Sequence, residues 1–229
     1  MYSMYFRIET TRKIKEFNEL FKFLKTINDT GDIVCTEEGV IIQTIDTDYL
    51  SLCEIVIPYE WFDSFEYTDT HIFELNHTKL VKLFTTHSGA IEFNNGVLNT
   101  YPKLSIQSTE IIDTTLTDTY LDFSLKTKML NSYLSELSDY GKDVTFICRH
   151  DKLHLTCGPK EIEIMDESLI EFNVVDNYDF ERTFNCKIIH TIAKLKYKTI
   201  HLFLDDEHPL IVTFDDTIIK IKYYISPNV

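Results

Sequence analysis

Apolar and polar positions along this chain alternate in short runs more often than they recur at helical spacing. Ile33–Cys35, Gly39–Thr44 and Leu52–Ile57 are β-rich runs broken by polar turns. Ala90–Phe93 and Val97–Tyr101 flank Asn95-Gly96, a hairpin signal because both residues tolerate the left-handed backbone of a two-residue turn. Val144–Cys148 and Leu153–Cys157 flank a second turn. Ile200–Leu204, Leu210–Phe214 and Ile218–Tyr224 form a closing meander with turns at Asp205-Asp206 and Asp215-Asp216. Four segments read as helices instead. Ile14–Ile27 places Phe17, Leu20, Phe21, Leu24 and Ile27 at helical spacing, and Thr78–Thr86, Lys128–Leu137 and Lys187–Leu195 are shorter amphipathic versions.

These elements repeat. The stretch from Leu24 through Ile27 and Asp29 to Gly31 matches the one from Leu134 through Leu137 and Asp139 to Gly141, and each copy ends a helix before entering a hairpin, at Asp32–Cys35 and at Asp143–Phe146. Phe73 precedes the second helix much as Phe184 precedes the fourth. A repeat this long predicts two copies of one domain, since a solenoid would repeat every ~20–50 residues. The predicted domains are 1–108 and 122–229, joined by a Thr/Asp-rich linker at 109–121 that has little periodicity.

Composition adds constraints. An apolar share of 44% supplies a packed core, and no stretch approaches the ~18 apolar residues of a membrane span. Met1–Lys13 lacks a basic segment followed by an apolar one, so no signal peptide is expected. Five cysteines (Cys35, Cys53, Cys148, Cys157, Cys186) lie in or beside apolar runs without metal-ligand spacing, which predicts buried reduced thiols in a reducing intracellular compartment and no zinc. Scarce alanine (Ala90 and Ala193) beside abundant Ile, Asn, Lys, Tyr and Phe fits an AT-rich genome, viral or parasitic. No phosphate-binding loop, nucleophile elbow or HExxH motif is present, so neither catalysis nor a cofactor is expected. His150 and His154 read as surface histidines of a hairpin. The acidic clusters Asp205-Asp206-Glu207 and Asp215-Asp216 read as turns.

A net charge of -15 argues against nucleic acid until the distribution is considered. Lys15, Asn18, Lys22 and Lys25 fall within an arc of roughly 80° on the first helix, away from its apolar stripe. Lys187, His190 and Lys194 share that spacing on the last helix, and Lys79 and Lys82 lie on the second. Acids concentrate in turns and in Glu161–Glu171. Read alone, such faces are ordinary solvated surface. Their recurrence on the helices of a repeated domain favours phosphate contact.

Two stretches carry a family resemblance. Gly39-Val-Ile-Ile-Gln-Thr-Ile-Asp46-Thr-Asp-Tyr-Leu-Ser-Leu52 resembles the Gly-Val-x-Leu-Gln-x-Met-Asp-x-x-His-Val-x-Leu stretch of eukaryotic-type sliding DNA clamps, the proliferating cell nuclear antigen family. His208-Pro209-Leu-Ile-Val and the closing Tyr224-Ile225-Ser226-Pro227 resemble that family's C-terminal strands. The resemblance runs nearly end to end. It implies an α+β fold of two similar clamp domains, with helices on one face of curved antiparallel sheets. Three such subunits would close into a ring around duplex DNA, with lysines facing phosphates and no base read.

Carried over, the family's DNA-facing positions fall on Lys25, Lys82, Lys187 and Lys194, with Lys15, Lys22 and His190 beside them. On the third helix they fall on Ser132, Ser135 and Asp139, which are not basic. The family's partner-peptide pocket falls on Ile45, Tyr49, Leu50, Leu52, Leu116, Pro209, Tyr224, Ile225 and Pro227. The family's ubiquitin-accepting lysine falls on His150. The edges expected to join subunits are Leu104–Ser108 and Glu161–Met165.

The resemblance further implies a non-enzymatic processivity factor, a homotrimer in the nucleus or a viral replication compartment. Its partners would be a DNA polymerase, a clamp loader, and a ligase or nuclease carrying short peptide motifs. Alternatives are a viral late-transcription factor of the same fold, a paralogue in a heterotrimer, and a monomeric β-rich interaction module.

Overall fold

The computed structural model describes residues 4–86, 89–98, 106–107, 112, 114, 119–175, 178–214 and 218–228. The chain forms two compact units, Met1–Thr114 with Ile218–Lys220, and Thr115–Thr217 with Ile221–Val229. Of the predicted linker, residues 109–111, 113 and 115–118 lie outside the described residues, as does the predicted Asp215-Asp216 turn.

The first unit runs β1 (Met4–Ile8), α1 (Thr11–Ile27), β2 (Thr30–Thr36), β3 (Gly39–Ile45), β4 (Ser51–Pro58), β5 (Ser64–Tyr67), β6 (Ile72–Asn76), α2 (His77–Thr86), β7 (Ile91–Asn94), β8 (Val97–Leu98) and β9 (Ile106–Gln107). The second runs β10 (Leu121–Lys126), α3 (Thr127–Leu137), β11 (Asp143–Arg149), β12 (Lys152–Cys157), β13 (Lys160–Ile164), β14 (Leu169–Val174), β15 (Phe180–Asn185), α4 (Cys186–Ile192), β16 (Thr199–Leu204), β17 (Leu210–Phe214) and β18 (Lys220–Ile225). Among the described residues, each unit is therefore strand, helix, five strands, helix, three strands. In the first unit β5-β1-β7-β8 form one antiparallel sheet and β4-β3-β2-β6-β9 lie side by side in another. In the second unit β14-β10-β16-β17-β18 and β13-β12-β11-β15 repeat the plan. The predicted α+β duplication is the observed architecture.

The repeat slips in one place. The helix-ending residues Asn28 and Ser138 are 110 positions apart. The hairpin-closing pairs Thr36/Gly39 and Arg149/Lys152 are 113 apart. Three extra residues therefore separate α3 from its hairpin. Thr30, which pairs with Asn76, is the counterpart of Asp143, which pairs with Asn185. The expected match of Asp32 with Asp143 is corrected accordingly.

Helix boundaries follow from caps. Thr10 accepts the Lys13 N–H and starts α1 at Thr11, three residues before the apolar stripe that predicted it. Asn185 accepts the N–H groups of Lys187 and Ile188 and starts α4. That helix ends at Ile192 rather than the predicted Leu195. The N–H groups of Lys194 and Leu195 reach back to Thr191 and Ile192, three residues away, and tighten the chain into a turn.

The two cores differ in chemistry. In the first unit, Phe6 stacks on Phe93 with centroids 5.0 Å apart and touches Phe17 and Phe62, while Trp61 packs between Phe17 and Phe62. Such aromatic pairs add about 0.5–1.5 kcal/mol each beyond area burial. In the second unit the helices bury Leu130, Leu134, Leu137, Ile189 and Ile192 against Leu153 and Leu155, with fewer rings. All five cysteines are buried free thiols.

Candidate functional surfaces

The helices bury one face and leave the other to solvent. On α1, Lys15, Lys22 and Lys25 are exposed, and Lys22 is held by Glu19 at 2.6 Å. Lys82 on α2 and Lys187 on α4 are also exposed. Lys194 is exposed but lies in the turn beyond α4, not on the helix as predicted. Asn18 departs from the expected arc: only 8% exposed, it lines a cavity of about 430 Å³ with Phe84 of α2. The neighbouring helix covers it, which a single-helix projection cannot show. Burial and the nearby Lys194 hold the His190 imidazole below its ordinary pKa, so it offers a hydrogen bond rather than a charge at neutral pH. Ser132, Ser135 and Asp139 are exposed at α3.

A second surface gathers at the β3–β4 hairpin. Asp46 shapes its turn: its carboxylate accepts the Ser51 N–H at 2.6 Å, its carbonyl accepts the Tyr49 N–H, and its own N–H donates to Ser51. Tyr49 is thereby held at φ +58 and is 80% exposed. Left-handed backbone costs a non-glycine residue about 1–2 kcal/mol, which the Asp46 bonds offset. Ile45, Leu50 and Leu52 are half-buried beside it.

On the same strands, side chains alternate between faces. Val40, Ile42 and Thr44 of β3, with Cys53, Ile55 and Ile57 of β4, enter the core. Ile41, Gln43 and Ile45, with Leu52, Glu54 and Val56, take the opposite face. There the apolar members are half-buried while Gln43 and Glu54 are only 5% exposed. Hydrogen bonds to the chain at Ile112 and Thr114 explain the inversion. The Gln43 amide nitrogen donates to Glu54 at 2.9 Å and to the Ile112 carbonyl at 2.8 Å, and its oxygen accepts the Ile112 N–H at 3.0 Å. The Thr114 hydroxyl donates to the same Glu54 oxygen at 2.7 Å. A cavity of about 550 Å³ is lined by Gln43 and Ile112 together with Ile45 and Tyr49. Sequence reading passed over Gln43 and Glu54. The available signal was two polar residues directly opposite each other in otherwise apolar strands.

In the second unit, the predicted Asp205-Asp206 turn is a tightly organised loop. Asp205 is 2% exposed, and its carboxylate accepts the N–H groups of Glu207 and His208 at 2.8 and 2.6 Å and faces the His208 Nδ1 at 2.8 Å. Arg182 donates to the carbonyls of Asp205 and His208, and the Tyr178 hydroxyl donates to Asp206. Burial pushes the Asp205 carboxyl up. The hydrogen bonds from His208 and Glu207 outweigh it and hold the pKa below its ordinary value. Pro209, Tyr224 and Pro227 are half-buried. Ile225, expected in the pocket lining, is fully buried, because Ile221, Tyr223 and Ile225 take the core side of β18 while Lys222 and Tyr224 take the other. Leu116 lies outside the described residues, as do Leu104, Ser105 and Ser108 of the first predicted edge. The remaining two residues of that edge form β9, paired to β6, and β13 is the edge of its sheet.

His150 is exposed in a left-handed turn with Asp151, and His154 faces Glu161 across β12 and β13 at 2.8 Å. Among the described residues, no group of three or more His, Cys, Asp or Glu could hold a metal, and no helix is long and apolar enough to cross a membrane.

No family model matches this chain, and no curated protein matches it in sequence. In structure it is similar to the crystal structure of the proliferating cellular nuclear antigen from Entamoeba histolytica. The TM-score is 0.79 at 18% sequence identity, covering 100% of both chains. The chain thus has the fold of that protein from end to end.

Proposed function

We propose that this chain is one subunit of a sliding clamp, a non-enzymatic ring that encircles duplex DNA and recruits replication and repair proteins through short peptides. The observation that carries the reading is the duplicated clamp fold, which exposes lysines on helices of both units of a chain whose net charge is -15. Lys25, Lys82, Lys187 and Lys194 are assigned to phosphate contact, with Lys15, Lys22 and His190 at the margin. An acidic remainder limits nonspecific adsorption, and phosphate contact alone leaves the protein free to slide. Three copies join head to tail through β9 and β13, a heterologous contact that closes when the rotation per subunit fits. Ile45, Tyr49, Leu50 and Leu52, with Leu116, Pro209, Tyr224 and Pro227, are assigned to an apolar peptide site supported from beneath by Ile225.

Light scattering after size exclusion tests the ring. A homotrimer has three times the 27.0 kDa chain mass. A clamp is retained on closed circular DNA after loading and released when the circle is cut. A monomer at micromolar concentration that shows no topological retention would refute the proposal.

A further inference from the structure

The most completely bonded polar pair on the outward face of the β3–β4 hairpin is Gln43 with Glu54, and no role in binding has yet been given to either. We propose that Gln43 and Glu54 form a positioning latch that holds the chain at Ile112 and Thr114 and so sets the affinity of the adjoining peptide site. The inference rests on the peptide-site reading above.

Register supplies the first argument. Gln43 pairs with Glu54 and Ile45 pairs with Leu52, so both pairs share one face, two residues apart along each strand. On a strand that spacing is about 7 Å. The latch therefore stands one rung from the apolar pair assigned to the peptide, and Gln43 and Ile112 line the same cavity as Ile45 and Tyr49.

Chemistry supplies the second. An ionised carboxylate only accepts hydrogen bonds. Glu54 therefore turns the Gln43 –NH₂ toward itself, which leaves the amide oxygen for the Ile112 N–H. Gln43 binds Ile112 through both backbone groups, as a neighbouring strand would, and Glu54 takes the Thr114 hydroxyl as well. A side chain that touches no peptide thus fixes where the chain stands as it leaves for Leu116, two positions on in the sequence. Without the latch, ordering that segment becomes a cost of each binding event.

The test compares wild type with Gln43→Met, which keeps length and removes the amide, and Glu54→Gln, which keeps an acceptor for Thr114. The probe is a fluorescein-labelled synthetic peptide carrying one leucine and two adjacent phenylalanines, followed by anisotropy. Amide hydrogen exchange at Ile112 is measured on the same proteins without peptide. Gln43→Met should weaken peptide binding about tenfold, equivalent to about 1.4 kcal/mol, and speed Ile112 exchange. Glu54→Gln should stay within about threefold of wild type, which a general packing defect at this pair would not predict. Faster Ile112 exchange with unchanged peptide affinity would overturn the inference and leave the peptide site standing. Unchanged exchange in Gln43→Met would show that there is no latch. Failure of the wild type to bind the peptide would remove the peptide-site reading and this inference with it, and Tyr224→Ala, with Gln43 and Glu54 intact, identifies that case by showing no further loss.

Discussion

Asp205→Ala should loosen the loop that carries Pro209 and measurably destabilise the second unit. The carboxylate accepts two backbone N–H groups and faces the His208 ring, all within 2.8 Å. Alanine leaves both N–H groups without their acceptor. An orphaned buried donor costs about 1–3 kcal/mol, but Glu207 is exposed and His208 half-exposed, so water recovers part of that. The net expectation is about 2 kcal/mol at pH 7. Asp205→Asn should cost about half as much, because both N–H groups go to the same oxygen, which the amide keeps. Protonation gives a second handle. The folded-state pKa lies below the ordinary aspartate value, so this contribution is present above about pH 4 and fades as pH falls through the folded value. Urea titrations followed by far-ultraviolet circular dichroism, at pH 7 and again near pH 3, measure both effects. Equal stability of wild type and Asp205→Ala at pH 7 would refute the reasoning, and so would a full difference persisting at pH 3.

Two further outcomes follow from the assigned surfaces. Each of Lys25→Ala, Lys82→Ala, Lys187→Ala and Lys194→Ala should reduce the magnitude of the salt slope for duplex DNA by roughly 0.9, with equal losses on unrelated sequences; a sequence-dependent loss would count against contact with phosphate alone. Tyr224→Ala should weaken the same labelled peptide by about 2 kcal/mol, as truncation of a central aromatic anchor does, and calorimetry showing no change would remove Tyr224 from the site.

Much of the fold was legible because its signals are local. The Asn95-Gly96 turn, the α1 stripe and the closing meander each occupy one continuous window. The strands passed over are those whose signal is short or shared. Met4, Phe6 and Ile8 alternate into the core of β1 over only five residues. Leu121, Phe123 and Leu125 do the same in β10, directly against the predicted linker. β5 and β14 lie at sheet edges, where half-exposed residues blur the alternation. The candidate surfaces divide in the same way. Lysines on a helix face can be projected from sequence, but the cover over Asn18 and the partners of Gln43 come from residues distant in the chain. Lys194 was misplaced for a smaller reason, since apolar spacing continues through Leu195 after the α4 hydrogen bonds have already tightened.

The unequal cores have an optical consequence. Trp61 is the single tryptophan of the chain, and it sits among Phe17, Phe62 and the Lys13 ammonium in the first unit. The second unit, built on the same plan, has no indole. Intrinsic emission excited at the red edge of the absorption band is therefore a report from one copy of a duplicated architecture, whereas circular dichroism sums over both. Overlaying the two signals during denaturation would show directly whether the copies melt as one body or in succession, with nothing attached to the protein.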